Sequence, residues 1–167
     1  MLKTKDCLMQ FPFIYDKKKV IQALRIHFTA QKEIKILLIV VNVFAIISAI
    51  LFYTHKIQPQ PFLLGSLIWL LLLIGVWYIL PYSIYKKSTT FKDEFIAHIN
   101  NYNLLLETEK GSISWEWNKF EYFFESPNFF HLYFNKKSFF LIPKDDITED
   151  VLHDIRTILN GNIDKKN

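Results

Sequence analysis

ILLIVVNVFAIISAILFY (residues 36–53) and FLLGSLIWLLLLIGVWYIL (residues 62–80), joined by THKIQPQP (54–61), decide the fold of this chain. Neither run carries a charge, and the clearly polar side chains are Asn42 and Ser48 in the first and Ser66 in the second. At 1.5 Å of rise per residue each run makes a helix of roughly 27–28 Å, close to the ~30 Å hydrocarbon core of a bilayer. Each holds 13 large aliphatic or Phe residues. At about −0.3 to −0.6 kcal/mol each on an insertion scale, that gives roughly −4 to −8 kcal/mol per run. A soluble core would have to wrap such a hairpin on all sides, and the 120 residues left from 167 after residues 36–82 are too few. The pattern predicts a transmembrane helical hairpin over 36–82, with spans at 36–53 and 62–80.

The remaining residues suffice for one compact domain. Lys and Arg are distributed unevenly: Lys17, Lys18, Lys19, Arg25, Lys32 and Lys35 precede the first span and Lys86, Lys87 and Lys92 follow the second, whereas the link holds only Lys56. Positive-inside asymmetry places both termini in the cytoplasm and the link, with Pro59 and Pro61, outside. The first apolar run starts 35 residues in, so it reads as its own insertion signal and not as a cleaved leader. Cys7 is the one cysteine, which excludes an internal disulfide and a Cys-rich metal site.

Outward from the hairpin, LMQFPFIY (8–15) reads as an edge strand, because Pro12 bars it from a sheet centre. Asp16 is a candidate N-cap for a basic amphipathic helix with Val20, Ile21, Leu24 and Phe28 on one face, which either runs on into the first span or bends at the interface. Residues 1–35 thus form an N-terminal strand and helix. Beyond the second span Pro81 marks a kink. Ile84, Phe91, Phe95 and Ile99 then recur at helical spacing and predict a membrane-exit helix over 83–101. From residue 102 the period falls to two, giving strands at 104–109, 113–117, 120–125, 129–134 and 138–142 in an antiparallel meander. A C-terminal helix closes the chain, capped by Asp146 with Glu149 three residues on or by Thr148 alone, striped by Val151, Leu152, Ile155, Ile158 and Leu159, and ended by Asn160 and Gly161. Residues 163–167 read as a frayed tail. The fold class is α+β: a two-helix membrane hairpin plus an antiparallel sheet domain (102–167) packed by a helix.

ISWEWNKFEYFFE (113–125), followed after a hairpin by SFFLIPKDDI (138–147), resembles the C-terminal region of YcxB-like bacterial membrane proteins. Their motif of a Trp, a hydrophobic residue three later and an Ile-Pro-Lys closing the last strand maps to Trp117, Phe120, Ile142, Pro143 and Lys144, with Trp115 as the alternative Trp. An acidic residue of the family falls at Lys119 here. The resemblance implies a pleckstrin-homology-like sheet region beside a membrane hairpin in the bacterial cytoplasmic (inner) membrane. It implies no defined biochemical role.

No catalytic constellation emerges. His27, His55, His98, His131 and His153 lie on separate elements without metal-ligand spacing, and there is no phosphate-binding glycine loop or nucleophile elbow. No cofactor is expected. Lys17, Lys18, Lys19, Arg25, Lys32, Lys35, Lys86 and Lys87 are candidate contacts to anionic headgroups, worth about 1 kcal/mol each near the surface, although topology alone requires the same asymmetry. Asn42 is expected to bond to the neighbouring helix, and Ala45 and Ala49 beside Ser48 offer a close-packing face, within the hairpin or between copies as a homo-oligomer. The aromatics between Trp115 and Phe140 outnumber the core positions of one small sheet, which marks Phe129, Tyr133 or Phe139 as a surface for a protein partner or headgroups. Nucleic acid is disfavoured, because the positive charge hugs the bilayer. The leading expectation is a non-enzymatic membrane-anchored interaction or regulatory module whose cytoplasmic sheet domain binds a protein or lipid. The alternative is an immunity-type protein that neutralises a toxin acting at the inner membrane.

Overall fold

The structure, a computed structural model, describes residues 9–165. Leu8 of the expected first strand and Lys166 and Asn167 of the expected tail lie outside the described residues. The chain is α+β and divides into two compact units, residues 1–19 with 89–167 and residues 20–88.

The first unit holds two antiparallel sheets. In one, β1 (Met9–Phe13), β2 (Phe95–Ile99), β3 (Asn103–Thr108) and β4 (Gly111–Glu116) lie in sequence order. In the other, β5 (Tyr122–Glu125), β6 (Phe129–Tyr133) and β7 (Phe139–Pro143) do the same. The edge strand expected around residues 8–15 is β1, paired with β2 from Met9↔Ile99 to Phe13↔Phe95.

Three expectations for this unit are corrected. The exit helix over 83–101 ends at Lys87; a short 3-10 turn (Thr90–Lys92) and β2 replace its second half. Phe91, Phe95 and Ile99 fit a period of four, but Phe95, Ala97 and Ile99 also alternate with the more exposed Ile96 and His98, and pairing on both sides with β1 and β3 selects the strand. The single meander is two sheets, because a 3-10 turn (Trp117–Lys119) breaks the chain between β4 and β5. Phe140 of the second sheet then meets Phe95 at 6.1 Å and Trp115 at 5.3 Å from the first, so the surplus aromatics fill an inter-sheet core.

The third correction concerns the C-terminus. Helix α5 (Glu149–Asn162) begins after Thr148, which makes no side-chain cap bond, and runs through Gly161 instead of ending there. Leu152, Ile155, Ile158 and Leu159 are its buried stripe. The residues after it are docked up to Lys165: Ile163 is buried, and the Phe123 amide donates to the Asp164 carbonyl at 2.8 Å.

α1 (Lys17–Ala30) starts after Asp16, whose carboxylate accepts the Lys19 amide at 2.9 Å, and buries Val20, Ala23, Leu24, His27 and Phe28. In the second unit it bends into α2 (Lys32–Tyr53) at Gln31, which is extended at ψ 132. α2 ends on a left-handed His55 (φ 57), with the Lys56 amide on the Leu51 carbonyl and the His55 amide on Phe52, a Schellman closure without its usual glycine. Pro59 opens α3 (Pro59–Ile74), which continues through a π-helical segment (Gly75–Ile79) into α4 (Leu80–Lys87). The second apolar helix is therefore 29 residues long.

Candidate functional site

The hairpin presents the largest unusual surface. α2 and α3 pack on each other. The half-buried positions of α2 are Ile34, Leu38, Val41, Ala45 and Ser48, and those of the second helix include Phe62, Ser66, Trp69, Leu73, Val76 and Leu80, both stripes at alternating three- and four-residue spacing. Phe52 and Phe62 stack at 4.3 Å near the turn. The outward positions of α2 and α3 are predominantly apolar and open: Phe44 is 66% exposed and Leu63 64%. Such a surface is far larger than a water-soluble monomer leaves bare, and by length and composition both helices suffice to cross a membrane.

Two of the expected packing residues change roles. Ala45 lies on the interhelical stripe but Ala49 is exposed. Asn42 is also exposed, and its amide donates to the Leu38 carbonyl at 2.7 Å, one turn back on its own helix, so the expected bond to the neighbouring helix is not the one formed. That bond satisfies one of the two N–H groups of the Asn42 amide within its own helix.

The basic flanks also divide. Lys17, Lys18, Lys32, Lys35, Lys86 and Lys87 are exposed. Lys19, in contrast, bonds Asp145 at 2.6 Å, and that hydrogen bond raises the lysine's pKa. Arg25 donates through Nε to the Trp77 carbonyl at 2.9 Å, and its guanidinium lies 5.9 Å from the Trp77 ring centre and 5.1 Å from that of Tyr78. Both had been expected at headgroups, and both have partners within the chain.

The motif residues form a structural cluster. Trp117 is 3% exposed, its indole N–H donates to the Asn100 carbonyl at 2.9 Å, and its own carbonyl accepts the Phe120 amide at 3.1 Å, so a 3-10 turn links Trp117 to the hydrophobic residue three places on. Ile142 is fully buried and Pro143 closes β7. Lys144 Nζ bonds the Glu125 carboxylate at 2.8 Å and the Ser126 carbonyl at 3.0 Å. Glu125 also accepts Arg156 Nε at 3.1 Å and Nη2 at 3.0 Å, while Arg156 Nη1 reaches Glu149 at 2.7 Å. Burial alone raises the Glu125 carboxyl, but the hydrogen bonds and charges of Arg156 and Lys144 outweigh it and hold the group below its ordinary value. Glu125 and Arg156 were not singled out from the sequence. The pairing of residues 31 apart has no local signal.

Phe129 and Tyr133, expected at a partner surface, are 1% and 5% exposed; β6 is the middle strand of its sheet and all five of its residues are buried. His131 is fully buried, with Nε2 at 3.0 Å from the Ser126 hydroxyl, and Ser126 is itself buried, so this Ser–His contact is closed to any substrate. Among the described residues no cluster of His, Cys, Asp or Glu forms a metal site.

No match is found among curated proteins or solved structures. The YcxB-like protein family model matches residues 99–159, from the end of β2 to the last residue of the α5 stripe; the hairpin precedes the matched stretch, the motif residues lie within it, and over it the chain is similar to the YcxB-like family.

Proposed function

We propose that the chain is a non-enzymatic, membrane-anchored interaction module: the hairpin spans the bacterial inner membrane, both termini are cytoplasmic, and the sheet unit, a pleckstrin-homology-like fold, binds a protein or lipid partner. The observation that carries the reading is where the hairpin enters the chain. It is inserted between β1 and β2, whose facing ends Phe13 and Phe95 are register partners with rings stacked at 5.3 Å. The anchor thus leaves and re-enters the sheet at adjacent points, about 5 Å apart in backbone, so that insertion into lipid preserves strand pairing. The pleckstrin-homology-like reading is supported by four strands, then three, then a C-terminal helix. The exposed lysines before the first span and after the second, which a hairpin brings to one side of the membrane, are suited to anionic headgroups.

The test is cysteine accessibility in intact cells, with Cys7→Ser as background. Gln58→Cys should react with a membrane-impermeant maleimide from outside, and Ser112→Cys only after the membrane is opened. Labelling of residue 112 but not 58 would reverse the topology, and recovery of the chain in the soluble fraction would refute the anchor. Photo-crosslinkers at exposed positions of the sheet unit should then yield a discrete adduct; a sheet unit that contacts neither protein nor lipid above background would defeat the interaction reading.

A further inference from the structure

Each sheet has two edges, and an open edge is a template for another strand. Three of the four edges are blocked. β1 carries Pro12, which has no N–H to give. β5 is covered by the C-terminal segment, through the bond from the Phe123 amide to Asp164 and a parallel bridge between Phe123 and Lys165. β7 ends in Pro143, and its Leu141 carbonyl takes the Tyr15 hydroxyl at 2.6 Å. β4, Gly-Ser-Ile-Ser-Trp-Glu over residues 111–116, has none of these guards: it contains no proline or lysine, no neighbour beyond it among the described residues, and four exposed residues in succession. Ile113 lies opposite the buried Leu106 and so points to the core side of the sheet, yet it remains 56% exposed.

We propose that β4 pairs antiparallel with β4 of a second copy of this chain, about a twofold axis at Ile113. The charges select this occupant and this register. Centred on Ile113, the pairing sets Ile113 against its own copy, Ser112 against Ser114, and Lys110, just before the strand, against Glu116 at its end. Both ion pairs form at once, on the solvent side; an in-register parallel pairing would set Lys110 against Lys110 and Glu116 against Glu116, and a shift by two residues would leave neither ion pair directly opposed. Lys110 is 73% exposed on its bond to Asp93 and has two further N–H donors to give. The two exposed isoleucines meet on the opposite side and extend the core across the axis. This inference rests on the sheet alone and holds whether or not the hairpin lies in a bilayer.

The test uses the full chain in nanodiscs with Cys7→Ser, so that each added cysteine is unique, and mild oxidation read on a non-reducing gel. Residues directly opposite in an antiparallel pair fall within disulfide reach, whereas diagonal neighbours two positions off do not. Ile113→Cys should therefore give about tenfold more linked dimer than Ser112→Cys or Ser114→Cys alone, and a mixture of those two should link efficiently. Glu116→Lys should cut Ile113→Cys dimer about two- to fivefold, and adding Lys110→Glu should restore it. No dimer from Ile113→Cys, as expected if a strand of another protein is the occupant, would overturn the proposal. Equal linking at all three positions, or indifference to the charge changes, would do the same.

Discussion

Arg25 donates its Nε hydrogen to the carbonyl oxygen of Trp77, the group to which Pro81, four residues on, has no N–H to give. A helical proline both withholds that bond and crowds the carbonyl four residues back. Here the helix widens into a π-helical segment over Gly75–Ile79, and α1 supplies a donor to that carbonyl from outside the helix. The guanidinium beside the Trp77 and Tyr78 rings adds cation–π attraction.

The pair can be tested as a double-mutant cycle. Arg25→Ala should destabilise the helical unit by about 0.5–1.5 kcal/mol, because the Trp77 carbonyl loses this donor. Pro81→Ala restores the backbone N–H, so Arg25→Ala should cost measurably less in that background. Hydrogen exchange over residues 75–87 in nanodiscs reads both effects; equal costs in the two backgrounds would show that Arg25 and Pro81 do not share the Trp77 carbonyl.

Trp117 separates packing from hydrogen bonding within the motif. Trp117→Phe keeps an aromatic ring but removes the donor to Asn100, and should cost about 1–3 kcal/mol. Trp117→Ala also opens a cavity among buried aromatics and should cost about 3–5 kcal/mol. Thermal unfolding followed by near-UV circular dichroism would rank them; parity between the two would mean that the indole N–H carries the whole effect.

The hairpin was legible because its two runs are uncharged and apolar over 18 and 19 residues, and the strand at Met9–Phe13 because Pro12 restricts where a strand can lie. What escaped were features decided by partners far off in sequence. Phe95–Ile99 fits two periods, and only β1 and β3 choose between them. Lys144 was visible as a motif residue, but its partner Glu125 was not. Arg25 read as one cation in a basic flank, although Pro81 four residues after Trp77 was a local sign that a carbonyl there needed an outside donor.

Two glycines should respond to alanine with opposite signs. Gly111 sits at φ +138, a conformation L side chains rarely adopt, so Gly111→Ala should destabilise the β3–β4 hairpin by about 1–3 kcal/mol although nothing blocks a methyl group. Gly161 lies in α5 with open space around it, and Gly161→Ala should stabilise by about 0.5–1 kcal/mol. Shifts of the same sign in the unfolding midpoint would contradict the backbone assignment at one of them.

Glu125 ties β5 to α5 and to the residue after β7, and its titration should appear in the stability of the sheet unit. Its carboxyl is held below the ordinary value because the bonds and charges of Arg156 and Lys144 outweigh the effect of burial. A group whose pKa is lower folded than unfolded contributes fully above the unfolded value, about 4.3, and loses that contribution as pH falls through the folded value. The unfolding midpoint should therefore show no Glu125 dependence from neutral pH to about 5 and should fall on further acidification. Glu125→Gln leaves two partly buried cations facing a neutral amide, which should cost about 1–3 kcal/mol at neutral pH and flatten part of the acid limb. An acid limb as steep in Glu125→Gln as in the parent would show that other carboxylates set it, and that the network joining Lys144 and Arg156 does not depend on the Glu125 charge.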